Sequence, residues 1–234
     1  MQNVHITDLQ AVDFALGGVI AGCYNALAKD DGPQALQRFL SRPDAERIYL
    51  VKNDNVQAAL HKLARLEDEP HRKGPDLPVI MYYREQGISA DANQFIQVAE
   101  ETHFVQEEPV MGMDTAMQVT TIPLTLTYSM LFLAWDRATI ERMALAWWAY
   151  ISPLRRKHSR FLVPYTLNGE KFEVGASINA PREILTSSEN MDEEGKVRLW
   201  GSRTMIEVNT QAVYGAKVER KDYITVITEW EVVY

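Results

Sequence analysis

The stretch Gln118–Ile151, QVTTIPLTLTYSMLFLAWDRATIERMALAWWAYI, reads as a long strand running directly into a long helix. Ile122, Leu124, Leu126, Tyr128, Met130 and Phe132 occupy the even positions, and Thr121, Pro123, Thr125, Thr127 and Ser129 the odd ones. Side chains alternate across a strand, so one face is apolar throughout. The odd positions then become Leu131, Leu133 and Trp135, which predicts burial on both faces in the second half, as in a central strand. Asp136 is a helix cap, because its carboxylate accepts free backbone N–H groups. Ile140, Met143, Ala144, Trp147, Trp148 and Ile151 follow at helical spacing and Pro153 stops the run, so the helix lies across the sheet of its own strand.

Working outward toward the N-terminus, Thr7 or Asp8 caps a helix running to about Ala28, with Phe14, Val19, Tyr24 and Leu27 on its apolar face. Gly17, Gly18 and Gly22 weaken that helix and admit another backbone closely. Asp30–Pro33 is a turn, Pro33–Ser41 a short helix and Arg47–Lys52 a strand. Asp54 caps a further helix with Val56, Ala59, Leu60 and Leu63 on one face; Glu67–Asp76 is a charged loop; Leu77–Tyr83 is a strand. Residues 87–117 lack periodicity and read as a loop-rich excursion with a short helix at 92–99; a connection that long is functional or mobile.

Toward the C-terminus comes a basic run, Arg155, Arg156, Lys157, His158 and Arg160. Phe172–Ile178 alternates as a strand, Thr186–Lys196 is a polar loop, and Thr204–Tyr214 alternates again. Gly215 opens a connection to Asp222, and Ile224–Tyr234 is a last strand. The fold class is α+β: an antiparallel or mixed β-sheet packed by helices on one face, with long loops.

The 234 residues, 46% of them apolar, suffice for one large domain or two small ones. The one cysteine, Cys23, excludes an internal disulfide framework and a cysteine zinc site, and reads as a small apolar filler. No signal peptide opens the chain and no segment is long and apolar enough to span a bilayer, so the expected setting is the cytoplasm. The net charge is −8, and Glu85–Asp136 alone carries eight acids and no Lys or Arg. The plain reading of that segment is a solvated loop; the functional one is a surface that guides polyanions or docks on a basic partner.

The chemistry-bearing motifs are absent from the sequence. No glycine-rich phosphate loop, nucleophile elbow or cysteine-protease signature is present, and the five histidines show no metal-ligand spacing. Glu67, Asp68, Glu69 and His71 read as a charged loop, and Asp136 with Glu141 as a helix cap and a first-turn acid. The basic run suits either phosphate contact or the C-terminal end of a helix dipole; without interleaved aromatics it does not describe a dedicated DNA binder.

The succession of segments resembles the tail-terminator, or proximal tail-sheath-stabiliser, proteins of contractile-tailed bacteriophages. The resemblance rests on the N-terminal helix Val12–Leu27, the strand RIYLVK (47–52) leading into a helix from Asn55, the strand LPVIMYY (77–83), the segment PLTLTYSMLFLAW (123–135) with its helix, and Thr204–Tyr214 running into Gly215 and a last strand. The acidic stretch 85–117 departs from the pattern. The resemblance implies a single domain over residues 1–234 and a structural virion protein, not an enzyme, without cofactor or metal. Its copies form a hexameric ring that caps tail tube and sheath and meets the neck or head-completion proteins, and DNA passes through without specific binding or membrane contact. On that reading Arg155, Arg156, Lys157 and Arg160 form a partner interface, while Glu100, Glu101, Glu107, Glu108 and Asp114 face the lumen or a docking partner. The competing expectations are another neck, head-completion or baseplate component, and a cytoplasmic enzyme or small-ligand binder with a cleft beside the sheet.

Overall fold

The computed structural model describes residues 4–29, 32–51, 77–89, 103–106, 115–152, 158–167, 170–181, 183–190 and 198–219. The helix expected from Asp54, the charged loop after it, the short helix at 92–99 and the last strand from Ile224 lie outside the described residues.

Two strands form the spine. β5 (Thr115–Ala134) and β9 (Arg198–Glu219) pair antiparallel over 20 residues, from Thr115 opposite Glu219 to Ala134 opposite Trp200. At ~3.3 Å per residue this ladder is roughly 65 Å long. The outer edge of β5 is lined first by β4 (His103–Gln106), then by a single bridge at Ser89, then by β3 (Val79–Arg84), on which β2 (Ile48–Leu50) lies parallel. The other edge of β9 is lined in turn by β8 (Leu185–Asn190), β7 (Glu170–Asn179), itself paired with β6 (Arg160–Leu167), and β1 (Val4–Ile6). The result is one mixed, mostly antiparallel sheet curved into a half-barrel, packed against the three α-helices of the described residues in an α+β fold.

Among the described residues the α-helices are α1 (Gln10–Asn25), α2 (Gln34–Ser41) and α3 (Arg137–Ile151). All three contribute to one core with the even-numbered side chains of the spine, among them Leu126, Tyr128, Met130, Phe132, Ile206 and Val208. Asp136 caps α3 as expected: its Oδ1 accepts the Thr139 N–H at 2.8 Å. Of the odd positions expected to be buried at the far end of the spine, Leu131 and Leu133 join Val79, Met81 and Leu199 in a smaller cluster on the opposite face, whereas Trp135, one residue past the strand, is 40% exposed. Among the described residues no helix is long and apolar enough to cross a membrane.

Several boundaries differ from the sequence reading. The buried stripe of α1 is Val12, Leu16, Ile20, Cys23 and Tyr24, and Phe14 is 66% exposed, because it lies two residues, about 200° of helical turn, from Val12. Thr7 does not cap α1. Its N–H and Oγ1 instead exchange hydrogen bonds with the backbone of Val213, extending β1, while Asp8 accepts the Gln10 N–H at 2.9 Å. Trp147 is buried, but Trp148, 100° further round, is 40% exposed. Part of the expected polar loop after Thr186 is strand β8, part of the loop-rich excursion is strand β4, and β9 runs straight through Gly215. Each of these gains its strand conformation from the long neighbour it pairs with, not from its own periodicity.

Candidate functional site

Chemistry-bearing side chains gather where β3 meets β5. Tyr83 lies opposite Ser129 and Arg84 opposite Tyr128. Alternation therefore sends Tyr82, Arg84 and Tyr128 to the helical face and Tyr83, Glu85 and Ser129 to the other.

On the helical face these groups converge on Asp13 of α1, a carboxylate only 6% exposed. Tyr128 donates to Asp13 Oδ1 at 2.6 Å, Tyr82 donates to the Asp13 carbonyl at 3.1 Å, and Arg84 stands 3.5 Å from the same Oδ1. The partners make burial of the charge tolerable. Gly17 makes room for them: a Cβ there would lie 2.3 Å from the Tyr82 hydroxyl oxygen. Burial, and next the Asp13 carboxylate, hold the Tyr128 hydroxyl well above its ordinary range, and burial with the Asp13 charge pushes Tyr82 up to about 12. Hydroxyls held protonated in this way are donors, not nucleophiles, and the cluster fastens α1 to the sheet.

A second buried charge, a cation, has a similar task. Arg47 is 1% exposed; its Nε donates to Asp44 Oδ1 at 3.1 Å and Nη1 to the Phe39 carbonyl at 3.2 Å, while Nη2 reaches Asn25. Its guanidinium lies 5.0 Å from the Phe39 ring centroid. The hydrogen bond from Arg47 is the main reason the Asp44 carboxyl lies below its usual range. Arg47 thus joins the end of α1, α2 and the start of β2.

The opposite face, where Arg203 reaches water and which is called the open face for that reason, carries no helix among the described residues, although Tyr83 and Ser129 are buried there. Arg203 Nη2 donates to Tyr83 Oη and Ser129 Oγ, both at 2.9 Å, and to Glu85 Oε1 at 3.2 Å; Ser129 donates to that same oxygen at 2.5 Å. Ser129 is itself buried, so this seryl oxygen does not meet an incoming group. Farther along, Thr125 donates to Asn209, Asn209 to Asn179 and Asn179 to Glu207, a chain of 2.9–3.3 Å bonds across three strands. Beside it runs a groove of about 680 Å³ between Pro181, Leu185, Arg203, Met205 and Glu207. A depression of about 410 Å³ over Leu162, Gly175, Ser177 and Asn209 continues it. Ser177 pairs with Asn209 and Asn179 with Glu207, which makes the two hollows neighbours on one face.

Of the expected site residues, Arg160 is exposed at the start of β6 and lines the depression. Arg155, Arg156 and Lys157, and the acids Glu100, Glu101, Glu107, Glu108 and Asp114, lie outside the described residues. Asp136 caps α3 as expected, whereas Glu141 lies beyond the first turn and is held instead by an i, i+4 pair with Arg137 at 2.6 Å. Among the described residues no three His, Cys, Asp or Glu side chains gather as a cation site. Sequence reasoning missed the Asp13 cluster. Its signal was a lone carboxylate interrupting an apolar helix, and its partners lie 69 and 115 residues away. No protein-family model matches the chain, and no curated protein matches it.

Proposed function

We propose that this chain is a structural virion protein whose copies form a ring at the end of a contractile phage tail, capping tube and sheath and joining the tail to the neck. The observation that carries this reading is the β5–β9 ladder. Strands in globular domains average about five or six residues, whereas these pair over 20. The 15-residue α3 covers about 22 Å of a ribbon roughly 65 Å long. A paired ribbon of this length suits a wall element reaching between layers of an assembly. The order of segments supports the same reading, and the two buried ionic clusters have their charges taken up in holding the helices.

The acidic excursion leaves and rejoins the outer edge of β5, at Ser89 opposite Thr125 and at His103 opposite Val119. In the proposed ring Glu100, Glu101, Glu107, Glu108 and Asp114 either line the passage, where carboxylates repel DNA phosphates and let the polymer slide, or meet a neck partner. Arg155, Arg156, Lys157 and Arg160 meet an acidic neighbouring surface in a salt-sensitive contact. Negative-stain imaging of the purified chain, alone and mixed with tail tubes of a contractile phage, tests the reading. Rings with a central hole seated on tube ends are expected. Tubes left bare, with no ring in either sample, overturn it.

A further inference from the structure

We draw no further inference here: the strongest candidate, the groove of about 680 Å³ on the open face of the sheet, sets Arg203, already paired with Glu85, and the acids Glu183 and Glu207 beside exposed Leu185 and Met205, and nothing in the structure shows what covers it.

Discussion

Tyr82 and Tyr83 are adjacent, and so are Tyr128 and Ser129, yet they belong to two polar clusters with different fates. The even-numbered pair meets Asp13 under α1 and the odd-numbered pair meets Arg203 on the other face. All four of these side chains are buried. What differs is the charged partner, a carboxylate 6% exposed in one cluster and a guanidinium 53% exposed in the other, and with it the local dielectric and the cost of losing that partner. α3 repeats the contrast in its adjacent tryptophans, Trp147 inward and Trp148 outward. The helical face holds the main core, and the open face combines a smaller buried cluster with exposed side chains such as Arg203 and Met205.

The largest expected effect is on the tryptophan pair. Trp147→Ala should cost about 3–5 kcal/mol and Trp148→Ala less than about 1 kcal/mol, read by denaturant unfolding. Equal losses would break the inside–outside contrast. Next, Gly17→Ala should cost about 1–3 kcal/mol, since the new methyl overlaps the Tyr82 hydroxyl. Adding Tyr82→Phe removes the clashing oxygen, so the double variant should be less destabilised than the sum of the singles. Strict additivity would mean that α1 docks some other way.

Tyr128→Phe should cost about 1–3 kcal/mol by leaving Asp13 short of a donor. It also sharpens a pH test. In the unfolded chain these tyrosines release their protons near pH 10, whereas the folded protein holds both Tyr128 and Tyr82 protonated to higher pH. Native protein thus binds more protons than unfolded above that pH. Their contribution is fully present below about pH 10 and is lost as pH rises toward the folded values. Unfolding midpoints measured from pH 9 upward should fall steeply for wild type and less steeply for Tyr128→Phe; parallel curves would place the titration elsewhere. The smallest effect belongs to the open face. Arg203→Ala should change stability by less than about 1 kcal/mol, with added salt narrowing the difference, because its ion pair with Glu85 is largely in water.

β5 and α3 were legible in sequence because each carries a single clean period, two residues in one and about 3.6 in the other, with Asp136 marking the junction. Tyr24 was read correctly on the buried side of α1 and Phe14 incorrectly, because that side is set by where Asp13 and Gly17 find Tyr128 and Tyr82. β8, LTSSEN, has no apolar period at all; it is a strand because β9 offers it an edge. β6 was hidden by the basic run before it and by Pro164, which an edge strand tolerates. The open-face cluster was invisible for the same reason as the buried one: Glu85, Ser129 and Arg203 come from three separated segments and meet only through strand register.

The most direct test of the account is the native mass of the wild-type chain over a wide concentration range. The chain weighs 26.7 kDa. If the proposed ring is right, the chain should pass from monomer to a single closed species of six chains and grow no further. A monomer at every concentration, or a mass that climbs without limit, would contradict it.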